Sequence, residues 1–117
     1  MIKQLLNKEA LNVYFDNDYG IALSVLKIFI DEILPETYSL LSVTGEDDVM
    51  QIVHKIKPSY RMIGLRSFAG ALETIEENCD KGNYGKVKGM IGDFMSELNS
   101  VKPLILDEFT HLSKLYK

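Results

Sequence analysis

Apolar residues recur along this chain with a period near 3.6 almost from end to end, and no apolar–polar alternation lasts long enough to make a half-buried strand. That pattern restricts the fold to helices. Ala22, Val25, Leu26, Phe29, Ile33 and Leu40 or Leu41 follow one face of a long first helix, with Asp18 placed to cap its start. Pro35 should bend this helix or end it early. Thr44-Gly45-Glu46-Asp47 supplies a hydroxyl cap and first-turn acids for the next helix, whose apolar face is Val49, Val53, Ile56, Tyr60 and Ile63 and which Gly64 ends. Ser67 is placed to cap a third helix carrying Phe68, Ala71, Leu72 and Ile75, and Asp80 to Gly85 reads as turn chemistry. Val87, Met90, Ile91, Phe94, Met95, Leu98, Val101 and Ile105 keep the helical period across Pro103, as one kinked helix or two shorter ones. Ile2, Leu5 and Leu6 suggest a short extra helix at the N-terminus. Each apolar stripe needs neighbours and the turns are short. The expected fold is therefore all-α, an antiparallel four-helix bundle with a short extra N-terminal helix, forming one domain over residues 1–117.

Charge narrows the range of functions. The chain carries 13 Lys and Arg against 17 Asp and Glu, a net charge of -4, which argues against binding nucleic acid through a generally basic surface. The longest apolar-looking run, Ile21 to Leu34, is interrupted by Lys27, Asp31 and Glu32 and is shorter than the ~20 residues a membrane span needs. The N-terminal residues lack the pattern of a secretory signal, and the single cysteine, Cys79, excludes an internal disulfide or a Cys-rich zinc site. Together these features point to a cytoplasmic protein with no membrane insertion.

The positive charge is concentrated. From Val49 to Leu72 the chain has four basic side chains, Lys55, Lys57, Arg61 and Arg66, and no acid, whereas the remaining 93 residues hold 9 basic and 17 acidic side chains. The same window holds His54. On a helix His54, Lys57, Pro58 and Arg61 fall at i, i+3, i+4 and i+7, one stripe, turned away from Val53 and Ile56. An exposed imidazole, substantially neutral near pH 7, offers a ring nitrogen that can attack phosphorus, and Lys57 one turn away is placed to hold phosphoryl oxygens. Pro58 has no N–H for the carbonyl of His54, so the helix should kink there, and the small residues Ser59 and Gly64 leave room for a partner.

These residues carry a resemblance. His54-Lys55-Ile56-Lys57-Pro58-Ser59, with Gly64 ten residues after the histidine, resembles the His-x-x-Lys-Gly-Ser/Ala pattern of the histidine-containing phosphotransfer (HPt) domain family, a family of four-helix bundles. It covers the chain from about Asp18 to Phe109, and Pro58 stands where the family more often has glycine. The resemblance implies that His54 is the phosphoacceptor, that Lys57 steadies the phosphoryl group, and that Ser59 and Gly64 shape the docking surface. It also implies relay of phosphoryl groups between the aspartates of response-regulator receiver domains, with a hybrid sensor kinase upstream. Any divalent cation (Mg) would sit in the partner receiver, with no cofactor or metal in this chain and no autokinase activity. Glu73 or Glu76 could hold the other imidazole nitrogen, and the sequence does not choose between them.

Several features get simpler readings. Arg61 continues the His54 stripe towards where an acidic receiver pocket would lie, and Met50, four residues before His54, is an adaptable contact for a partner. Tyr60 belongs in the core, Cys79 behaves as a small half-buried hydrophobe, and His111 is a surface residue. The acidic clusters Glu46-Asp47-Asp48 and Glu73-Glu76-Glu77 lack the spacing of metal sites. The rival reading is a helical docking module for receiver or kinase domains that carries no phosphate. In either reading a monomer is expected.

Overall fold

In the computed structural model, which describes residues 18–115, every described element is helical. Helix α1 spans Tyr19–Ile28 and starts as its sequence dictates: the Asp18 carboxylate accepts hydrogen bonds from the backbone N–H of Gly20 at 2.9 Å and Ile21 at 3.2 Å. Pro35 does not end this rod. It sits in the first turn of α2 (Leu34–Tyr38), and the five residues before, Phe29–Ile33, widen into a π-helical turn in which Leu34 N–H bonds to the carbonyl of Phe29, five residues back. Because proline cannot donate to the carbonyl four residues earlier, the wider turn takes up the mismatch and the chain stays helical through it. A short 3₁₀ turn, Ser39–Leu41, closes the rod.

Helix α3 runs Glu46–Met62, α4 runs Arg66–Asp80 and α5 runs Tyr84–Leu115. Two expected caps are not used. Gly45, not Thr44, takes the N-cap position of α3 and contributes no side-chain bond, leaving Glu46, Asp47 and Asp48 in the first turn to face the positive end of the helix dipole. Leu65 takes that position for α4, so Ser67 lies inside the helix. Pro58 is carried within α3, and Pro103 within a single, 32-residue α5. The expected N-terminal helix at Ile2, Leu5 and Leu6 lies outside the described residues.

The helix ends follow a common rule. Gly64 (φ 86°) follows α3, with its N–H bonded to the carbonyl of Arg61 and that of Leu65 reaching back to Tyr60 at 2.9 Å. Gly82 (φ 76°) follows α4 with the same pair of bonds, to Cys79 and Asn78. Only a residue without a Cβ takes this left-handed conformation at no steric cost, and the two bonds satisfy carbonyls that the helix end would orphan.

Consecutive helices pack on one another and α5 closes onto α1, in an envelope of 47 × 24 × 24 Å. The 24 Å cross-section is two helix diameters, and the long axis matches α5 at 1.5 Å per residue. Every apolar position expected on α3 is buried: Val49, Val53, Ile56, Tyr60 and Ile63. At the centre, four rings come from four different stretches of helix. Tyr60 meets Phe29 edge-on at 4.9 Å, Phe94 edge-on at 5.7 Å and Phe68 in a stack at 6.0 Å, while Phe68 and Phe94 meet at 5.4 Å. The Tyr60 hydroxyl lies 3.0 Å from Thr37 Oγ1, which itself donates to the carbonyl of Ile33 at 2.7 Å, so Tyr60 is the donor of the pair and no buried oxygen is left alone. Burial pushes the Tyr60 phenol up, far from ionisation at neutral pH. Cys79 is buried and its thiol likewise pushed up, with nearby acids adding to the effect. No helix among the described residues is long and apolar enough to cross a membrane.

Candidate functional site

The inward row of α3 fixes the rotation of the helix and with it the outward one. With Val53 and Ile56 sealed in the core, His54 emerges at the surface with 82% of its side chain exposed. Pro58 and Arg61 are exposed on the same stripe, but Lys57 is not: its side chain is only 14% exposed, folded into the seam between α3 and α4. What draws it there is Glu76. One carboxylate oxygen of Glu76 accepts from Lys57 Nζ at 2.7 Å, and the other lies 3.1 Å from His54 Nδ1. Of the two acids able to reach the ring, the fold thus brings Glu76 to it, while Glu73 pairs with Arg61 at 3.4 Å.

The carboxylate decides the tautomer. Burial pushes the Glu76 carboxyl up, but hydrogen bonds and charge from Lys57 and His54 together outweigh it and hold the group below its ordinary value. An ionised carboxylate can only accept, so Nδ1 must carry the proton. In the neutral ring the lone pair is then on Nε2, on the far side of the imidazole from Glu76 and open to solvent.

This arrangement predicts a pH dependence of stability. The folded-state pKa of Glu76 lies below its unfolded value of about 4.3. Its contribution is therefore fully present above that unfolded value and is lost as pH falls through the folded one. Urea midpoints measured from about pH 6 down to about pH 3 should fall more steeply for the natural chain than for Glu76→Gln. Parallel curves would mean the bridge contributes nothing to stability.

The positive window reads differently in space. Lys55 faces Glu36 at 3.6 Å, Lys57 faces Glu76 and Arg61 faces Glu73, so each of these cations meets a carboxylate from another helix. An acid-free stretch of sequence becomes a face of interhelical ion pairs. Glu36 gave no signal in sequence, because nothing local marks which acid of a distant helix will lie opposite Lys55.

The remaining candidates divide. Met50 is half-buried against the core, one turn before His54. Ser59 turns towards α1 and lines an apolar cleft of about 170 Å³ with Val25, Ile28, Phe29, Ile33 and Met62, so it does not share the His54 face. Gly64 is at the end of α3, where its positive φ accounts for the glycine on backbone grounds. His111 is exposed on α5. Larger clefts of about 280 Å³ between α4 and α5, and about 350 Å³ beside the 3₁₀ turn and the start of α5, have other linings. His54 lines none of these three.

Comparison of the chain with protein-family models, with curated proteins and with solved structures gives no match.

Proposed function

We propose that this chain is a phosphoryl carrier of the histidine phosphotransfer type, relaying phosphate between receiver-domain aspartates through His54. The observation that carries the reading is a largely exposed imidazole whose Nδ1 is tied back to a carboxylate, leaving the Nε2 lone pair facing solvent. A nucleophile meant for a group held by another protein has to stand clear of its own surface, and this one does. The antiparallel four-helix bundle belongs to the same reading. It is supported by the pairing across α3 and α4, in which His54 and Lys57 meet Glu76 while Arg61, further along α3, meets Glu73, earlier on α4.

In the forward step Nε2 attacks the phosphorus of an aspartyl phosphate in line. The N–P bond forms as the acyl P–O bond breaks, the receiver recovers its carboxylate, and Nδ1 keeps its proton against Glu76. The reverse sequence loads the next receiver. A divalent cation held by the receiver neutralises the phosphoryl oxygens during transfer. A hybrid sensor kinase upstream, a cytoplasmic setting and a monomeric carrier complete the proposal.

The test is direct. Incubated with a phosphorylated receiver domain and magnesium, the chain should acquire phosphate that survives base and is lost in acid. Binding of the receiver without any such label would leave a docking module and remove the carrier.

A further inference from the structure

We propose that the cleft between α4 and α5 is a docking groove for a basic amphipathic helix of another protein, on a side of the bundle that leaves His54 open. The cleft holds about 280 Å³ and its floor is apolar: Phe68, Ile75 and Phe94 line it and are at most 4% exposed, with Ala71 and Met90 half-buried beside them. Asp93 and Glu97, one turn apart on α5, line it as well and are exposed. Among the described residues neither is in an ion pair. The stretch of α5 that carries them, Gly89 to Val101, has no Lys or Arg, and the lysines that bracket it, Lys88 and Lys102, lie over the rings of Tyr84 and Tyr38 at 5.3 and 5.2 Å. An apolar floor beneath two unpaired carboxylates selects an occupant that is apolar on one face and cationic along its edge.

Both walls are helices, and past the first turn of α4 their backbone is bonded within its own helix. The groove therefore offers no edge to an extended chain, and the occupant has to satisfy its own backbone, as a helix does. Ser67 to Thr74 on one wall and Met90 to Glu97 on the other each run about 10 Å, two helical turns, which accept apolar side chains at i, i+3 or i+4, and i+7. Two glycines add an independent observation. Gly70, one turn from Ser67 and from Thr74, and Gly89, one turn before Asp93, are exposed inside helices, where glycine costs stability relative to alanine. Neither has a positive φ, and a Cβ at either would meet nothing within 4 Å, so nothing within the fold calls for glycine there. A second backbone drawn close to the walls does. Ser67, Ala71 and Thr74 lie on the side of α4 turned away from Glu73 and Glu76, so a helix in the groove does not cover the seam that carries His54. The inference does not depend on what His54 does.

The probe is a designed peptide of about 18 residues, long enough to be helical, with leucines on one face and lysines flanking them. Added to the full chain and followed by ¹H–¹⁵N NMR, it should shift the amides of Ser67, Ala71, Thr74, Met90 and Glu97 and leave those of His54 and Glu76 in place. Replacing both acids, Asp93→Asn with Glu97→Gln, should weaken binding by about tenfold. Gly70→Gln and Gly89→Gln should each raise the urea midpoint, because a better helix former takes an exposed helical position, and should nonetheless weaken binding. A variant that is more stable and binds less well separates docking from damage to the fold. With the peptide saturating, phosphate uptake from a phosphorylated receiver should keep its rate.

Shifts scattered over the acidic surface, or unchanged binding after both acids are replaced, would make the attraction a general one between a cationic peptide and a net-acidic chain and overturn the inference. Unchanged binding in the two glycine variants would overturn it too, as would equal binding by the same peptide with a central proline, which would favour an extended occupant. Shifts at the groove that follow the concentration of the chain alone would make a second copy the occupant, against the proposal. Phosphate uptake slowed by the peptide would place it on the His54 face, with the same result. If the chain takes no phosphate at all while binding follows the acids and glycines as described, the carrier reading falls and the docking groove stands.

Discussion

Tyr60→Ala should lower the unfolding free energy by about 3–5 kcal/mol, the range for truncating a large buried aromatic side chain. Tyr60 is fully buried, and its ring touches Phe29, Phe68 and Phe94, so the deletion opens a void where the helices meet. Against a typical total of about 5–15 kcal/mol for a domain, that is a third or more of what holds the fold together. The companion variant separates packing from polarity. In Tyr60→Phe the ring contacts remain and only the bond to Thr37 is lost. Thr37 still donates to the carbonyl of Ile33, so no buried donor is stranded and the cost should be about 1 kcal/mol. Urea titrations of both variants, with unchanged slopes, would measure the two contributions. A Tyr60→Ala loss below about 1 kcal/mol would mean that the four rings do not form the centre of the core.

The ring of Tyr60 was legible in the sequence and its hydroxyl was not, and that contrast holds across the fold. Periodicity is a local property: Val49, Val53, Ile56, Tyr60 and Ile63 declare a buried face by their spacing alone, and the same spacing pushes His54 outward. Asp18 and Gly64 declare helix ends because their chemistry acts within a few residues. What could not be read depends on how one helix is rotated and slid against another. The bond from Tyr60 to Thr37 spans 23 residues, and that from His54 to Glu76 spans 22. Glu73 and Glu76 lie three apart on one helix face, so either could have met the ring, and only the packing of α4 on α3 decides. The Thr44 and Ser67 caps failed for a milder reason. Each stands within two residues of the true start, and nothing in a hydroxyl's position alone distinguishes a cap from its neighbour. Pro35 announced a disturbance, but a widened π turn resolves it as readily as a helix end would.

His54→Gln should be the opposite of Tyr60→Ala, leaving the fold intact and removing phosphate uptake altogether. With most of its ring in solvent, His54 has little part in the core, and a glutamine amide can still donate to Glu76, which Lys57 keeps in place. The change in stability should stay within about 0.5 kcal/mol, as for other surface substitutions. Transfer from a phosphorylated receiver should fall on the order of 10³-fold or more, to background, because the atom that would form the N–P bond is gone. The chain contains its own control in its second histidine, His111, which is also exposed but lies on α5, away from the bridge that Lys57 and Glu76 build. If exposure alone made a phosphoacceptor, His54→Gln would retain label at His111, and mapping the residual phosphate would find it there. If the function depends on a carboxylate fixing Nδ1 and freeing Nε2, His111 stays unlabelled and the loss is complete. Uptake by His54→Gln at the natural rate would move the acceptor away from α3 and with it the proposed role of the α3–α4 seam.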